Sequence, residues 1–160
     1  MSRKFLTTIG AATLLAAAAI LGAAGPASAT TTQTVHSSQI SGDIPVSCDG
    51  PGDTSYTGTG NSVFHVTVNN AGDAWVTGTQ EGTVLLQTTW GGNTGWWSGH
   101  LATWFGGEFN NMNNVQHATA DFHGTSTTDP TQSITMHAAF QVTFNANLVM
   151  TVNNATVTCR

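Results

Sequence analysis

Cations are almost missing from this chain of 160 residues: Arg3, Lys4 and Arg160 are its whole supply, against eight carboxylates and a formal charge of −5. Two of the three lie at the extreme N-terminus, so the body of the chain offers one Arg and no Lys. A surface of that kind has nothing with which to neutralise phosphates, which excludes nucleic acid and anionic membranes as partners. The same shortage excludes Schiff-base lysines, arginine clamps and Walker-type phosphate sites. Cysteine is limited to Cys48 and Cys159, too few and too far apart for a CxxC redox or zinc motif, and HExxH is absent as well. Helical periodicity of useful length is also missing, and after residue 29 no apolar run is long enough to span a bilayer.

What is present begins with an export signal. Arg3 and Lys4 form a positive n-region, Leu14 to Leu21 an Ala-rich apolar h-region, and Ala27-Ser28-Ala29 a small-x-small cleavage site. Residues 1–29 are therefore expected to be a signal peptide, and residues 30–160 a single all-β domain secreted to the cell exterior. In an oxidising compartment the two cysteines have one possible pairing, Cys48 with Cys159. Closing a loop of that length removes about 4–5 kcal/mol of denatured-state entropy on the chain-entropy model. A bridge needs Cα atoms within about 7 Å, so the first and last strands are expected side by side.

Past a polar leader (Thr30 to Thr34), the chain alternates with period two, broken by Gly, Asn and Asp. Val35 to Ser47 reads as a first strand with Pro45 at an edge or bulge, and Ser62 to Asn69 as the clearest strand. Asn69 to Asp73 has the chemistry of a hairpin turn, followed by a return strand from Ala74 to Thr89 with a bulge near Glu81-Gly82. Trp90 to Ser98 (WGGNTGWWS) is expected to be a Trp-rich loop, Gly99 to Phe105 a strand, and Gly106 to Asn114 a further loop. Val115 to His123 and Ser133 to Asn145 are strands separated by the Asp129-Pro130 turn. The last strand runs from Leu148 to Cys159, interrupted near Asn153-Asn154. Abundant Thr suits pleated surfaces with one polar side. The pattern predicts an all-β fold, a seven- or eight-stranded antiparallel up-and-down barrel, with a β-sandwich as the alternative.

Candidate chemistry falls in two places. His117, Asp121 and His123 project from one side of a single strand, and His65 and His137 lie on the polar faces of theirs. Such groups suit general acid–base work or zinc, but their spacing matches no metal signature, so no metal and no cofactor is expected. Among the carboxylates, Glu81, Glu108 and Asp121 are candidates for paired acid chemistry, and Asp49 to Asp53 lacks EF-hand spacing. No GxSxG elbow presents a serine nucleophile. The second place is aromatic: Trp90, Trp96 and Trp97 crowd one segment, with Trp104 and Phe109 just beyond. Several indoles among Gly, Asn and Thr suggest either a lid over an apolar cavity or stacking platforms for sugar rings.

Gly60 to Asn69 (GNSVFHVTVN), Gly99 to Gly106 (GHLATWFG) and the ending from Val152 to Cys159 resemble a group of small actinobacterial secreted proteins, over nearly the whole of residues 30–160. That resemblance implies compartment and domain extent, and carries no catalytic residue with it. In composition, terminal disulfide and exposed Trp the chain is also similar to cellulose-binding modules of bacterial secreted enzymes.

Three functions follow as expectations. The first is binding of a small apolar or amphipathic ligand in a barrel mouth lined by Trp90, Trp96, Trp97, Trp104, His117 and His137. The second is polysaccharide binding through the same Trp residues. The third is a barrel-type cyclase or isomerase using His117, Asp121 and His123. Low charge and Thr-rich strands also permit self-association.

Overall fold

The computed structural model describes residues 31–110, 113–145 and 149–160, the side chains of 31, 113 and 150–153 excepted; the expected export signal lies outside them. Seven strands follow one another: β1 (Thr31–Ile44), β2 (Thr54–Val68), β3 (Ala74–Trp90), β4 (Asn93–Phe109), β5 (Asn113–Ser126), β6 (Ser133–Asn145) and β7 (Met150–Cys159). They form one sheet in the order of the sequence, every neighbouring pair antiparallel. The all-β, up-and-down expectation therefore stands. Among the described residues no ladder joins β7 back to β1, so hydrogen bonds do not close the sheet.

Short turns set this order. Asn69 supplies the β2–β3 turn, its Oδ1 accepting from the amides of Ala71 and Asp73 at 2.9 Å each, as Asx-turn chemistry requires. Asp129 does the same before β6, accepting from the Thr131 hydroxyl at 2.6 Å and from its amide at 3.1 Å. Those two bonds hold the Asp129 carboxyl below its usual range.

Two expected loops are strand instead. Trp90 to Ser98 is the β3–β4 hairpin, with Trp90 paired to Asn93 around Gly91 (φ 61°) and Gly92 (φ 78°). Positive φ at both central positions is the type I′ geometry whose twist matches that of the strands, and glycine adopts it without strain. The Asp49 carboxylate fixes this turn, accepting from the amides of Gly91 at 2.9 Å and Gly92 at 2.7 Å. Similarly, β4 continues through Gly106 to Phe109, and β5 starts at Asn113. The bulge expected at Glu81-Gly82 is absent, since β2, β3 and β4 stay in register there. Register shifts occur between Ser37 and Gln39, and at Gln141/Val142 opposite β7, where pairing passes from Asn154 to Val152. Strand also begins earlier than expected, at Thr31.

One face of the sheet is buried. Val84 and Leu86 of β3, Trp97 and Leu101 of β4, Ala120 and Phe122 of β5, and Ile134, Met136 and Ala138 of β6 share a core with Ile40 and Ile44 of β1. Val157 and Cys159 of β7 pack on the same cluster, so the sheet rolls until its first and last strands contribute to one interior. Burial of a side chain such as Leu86 or Phe122 contributes about 1.5–3 kcal/mol. The backbones of β2 and β3 approach closely at one pair of glycines. Gly60 and Gly82 face each other across β2 and β3, and a Cβ on either would strike the other's Cα and the carbonyl beside it.

A disulfide links the first connection to the last strand. Cys48, in the β1–β2 connection, is bonded to Cys159 at the end of β7, with Cα atoms 5.6 Å apart. The connection is tied down by buried hydroxyls, as Thr54 Oγ1 donates to the Val46 carbonyl at 2.8 Å and shares a 2.7 Å bond with Thr88 Oγ1. Beside them, the hydroxyl of half-buried Tyr56 donates to Gln80 Oε1 at 2.9 Å. Burial pushes the Tyr56 phenol up to about 12.

Candidate functional site

Strand parity sorts the tryptophans. Trp97 is 6 % exposed and packs inside against half-buried Trp90, ring centroids 5.5 Å apart. Trp96 and Trp104, both 42 % exposed, lie on the opposite, outer face of β4, and Trp75 of β3 shares that face at 40 %. Trp90, Trp96, Trp97 and Trp104 therefore do not line a common mouth. Outer-face His137 does not join Trp90 or Trp97 either.

The outer face of β4 to β7 forms a shallow groove of about 230 Å³ beside Trp104. Its floor and walls come from two cross-strand rows. In the first, Trp104 pairs with Thr119, Thr119 with Ala139, and Ala139 with Thr156; in the second, Gly106 pairs with His117, His117 with Gln141, and Gln141 with Asn154. Residues in one row point to the same side because side chains alternate along each strand and align across a sheet. Trp104 and His117 lie with ring centroids 5.3 Å apart and planes at 39°. Both lean over Gly106, where even a Cβ would come within 3.2 Å of each ring, so glycine at this position seats the aromatic wall. The small Ala139 leaves the middle of the groove open. The chemistry on offer is one broad π surface beside an imidazole, two carboxamides and two hydroxyls, with no cation.

The outer-face histidines and carboxylates pair off separately. His137 Nδ1 shares a 2.7 Å hydrogen bond with Asp121 Oδ1, His123 Nδ1 a 3.0 Å bond with Thr135 Oγ1, and His100 Nε2 lies 3.4 Å from Glu81 Oε1. His65 is bonded to Thr34. His117, Asp121 and His123 share the outer face of β5, but at four and two residues' separation they stand about 13 and 7 Å apart along the strand. Asp121 engages His137, on the next strand, rather than either histidine of its own. The Asp121–His137 pair leaves Nε2 of His137 free, the arrangement of a general base, on side chains that are more than half exposed. Glu108 lies on the outer face of β4, exposed.

Among the described residues, no group of three His, Cys, Asp or Glu is placed to hold a metal ion. In the Asp49 to Asp53 loop both oxygens of Asp49 are taken by backbone amides. Burial, with the nearby Asp53 carboxylate, raises Asp43 above the usual carboxylate range.

A second concavity lies at the seam. Pro45, Val46 and Pro51 face Ala155 and Val157 of β7 across a crevice of about 430 Å³, with Asp53 at its rim. Its lining is mostly apolar, and it opens beside the disulfide. Sequence reasoning did not single out this crevice, nor Trp75, Gln141 or Asn154.

No protein-family model, no curated protein and no solved structure matches this chain. Among the described residues no helix is long and apolar enough to cross a membrane.

Proposed function

We propose that this is an exported glycan-binding domain that holds a neutral polysaccharide on the outer face of its rolled sheet. The observation that carries the proposal is the half-exposed Trp104 indole, seated over Gly106 beside His117, Gln141 and Asn154. An indole face stacks on the C–H face of a pyranose, while carboxamides and hydroxyls exchange hydrogen bonds with its hydroxyls. Neither contact requires charge, and the face that offers them has none that is positive. Export fits the signal-like N-terminus and the Cys48–Cys159 disulfide. On this reading the sheet is a barrel whose seam is held by side chains and the disulfide rather than by a ladder.

The experiment is affinity electrophoresis of the exported protein through gels containing neutral polysaccharides, beside Trp104→Ala and Trp96→Ala. Retardation lost in Trp104→Ala and kept in Trp96→Ala is the expected result; equal retardation of all three would overturn the assignment of the site.

The seam crevice favours a second reading, binding of a small apolar or amphipathic ligand, with Pro45, Val46, Pro51, Ala155 and Val157 as the lining in place of the tryptophans. Native mass spectrometry of protein purified gently from culture medium tests it. A bound mass released on denaturation supports this reading, and an apo mass removes it.

A further inference from the structure

Resting on the glycan reading, the geometry points to a narrower ligand class: single extended chains, gripped in mid-chain across several strands, rather than crystalline surfaces or chain ends. Three features carry this.

The first is the direction of the groove. Its two rows run at right angles to the strands, from β4 to β7. Three interstrand steps of 4.8 Å make it about 14 Å long. A pyranose advances along its chain by roughly one interstrand step, so the groove accommodates about three rings. Trp104 would stack on one end ring, and the amide pair Gln141 and Asn154 would bond to the other.

The second is that the described residues flanking both ends are exposed. On the β3 side the rows continue to Thr77 and Thr79, paired with Gly106 and Trp104 and both exposed. On the other side they end at Asn154 and Thr156 of β7, also exposed, on the last strand of the sheet. Among the described residues both rows run out onto exposed side chains, so a chain can enter and leave.

The third is the separation of the indoles. Trp96 and Trp104 are eight residues apart on β4, about 27 Å, and Trp75 is four residues beyond Thr79 on β3, about 13 Å. They stand on a convex, twisting face, so they form separate contacts instead of one flat platform for a crystal surface.

The test uses the disulfide-intact exported protein with soluble mixed-linkage β-glucan, xylan and galactomannan, and with the oligosaccharides of whichever polymer binds, from the monosaccharide to the hexasaccharide. Depletion on microcrystalline cellulose and on chitin completes it. The expected series strengthens at least about tenfold from mono- to trisaccharide and changes less than about twofold beyond, with no depletion on the crystals. Gln141→Ala or Asn154→Ala should weaken trisaccharide binding about fivefold, the loss of one hydrogen bond, and leave monosaccharide binding unchanged. Near-UV circular dichroism confirms that each variant is folded. A monosaccharide bound as tightly as the trisaccharide, or depletion on crystals that depends on Trp96, would overturn the mid-chain grip while leaving glycan binding intact. Failure of every carbohydrate to bind would remove both.

Discussion

Trp96 and Trp97 are adjacent in the chain, yet the first is 42 % exposed and the second 6 %. Neighbouring residues on a strand belong to opposite faces, so one indole joins Leu101 and Phe122 in the interior while the other joins His100 and Trp104 outside. The inner face works by packing and tolerates little change. The outer face carries Thr, Asn, His and three exposed indoles. The difference teaches that a cluster of aromatics in sequence need not be a cluster in space.

The largest expected effect tests whether the inner face depends on its seam. Cys48→Ser with Cys159→Ser, or reduction, should lower unfolding free energy by about 4–5 kcal/mol on the chain-entropy model for a loop spanning 111 residues. Urea unfolding with and without reductant measures it, and coincident curves would mean that the bridge constrains nothing.

Next comes the indole pair. Trp97→Ala should cost about 3–5 kcal/mol, whereas Trp96→Ala should stay within about 0.5 kcal/mol. Trp97 Nε1 has no hydrogen-bond partner, so Trp97→Phe should recover most of the loss, which concerns shape and apolar area. Equal midpoints for the two alanine variants would erase the distinction between the faces.

The alkaline pH response is smaller and belongs to the inner face. Tyr56, the chain's single tyrosine, ionises near 10 when unfolded and about 12 when folded. The unfolded chain therefore loses its proton first. The stabilisation is fully present below pH 10 and falls by about 1.4 kcal/mol per pH unit as pH rises towards 12. Ultraviolet titration of the phenol reads this directly, and a native midpoint near 10 would show Tyr56 to be solvated.

A small stability effect is also expected at the proposed site itself. Trp104→Ala should lower the unfolding free energy by less than about 1 kcal/mol while abolishing retardation by polysaccharide. A large destabilisation would make Trp104 a packing residue.

Much of the fold was legible because period-two alternation and turn chemistry are local. Ser62 to Asn69, the Asn69 turn and the Asp129 turn follow from such signals, and the cysteine pairing follows from arithmetic. Trp90 to Ser98 was misread because its Gly and Asn content lowers strand propensity, although Gly91-Gly92 between two strand-like flanks is itself a hairpin signal. The face buried by each strand was not legible, since β4 presents aromatics on both sides and only the rolled sheet decides between them. Gln141 and Asn154 were out of reach for a related reason. Asn154 lies opposite Gln141 in the register that runs unbroken from the Met136–Cys159 pair, and a cross-strand register leaves no mark in the pattern along either strand.

The Cys48–Cys159 bond also determines how the molecule carries force. A pull applied to the two ends of the domain travels along β1 to Cys48, crosses the covalent bridge and leaves through Arg160. The β2 to β6 strands and nearly all of β7 lie inside that covalent loop, so the pull reaches them only through the β1–β2 ladder. A domain anchored at one end and tugged at the other would give up at most its first strand, and the outer-face groove would keep its shape under load.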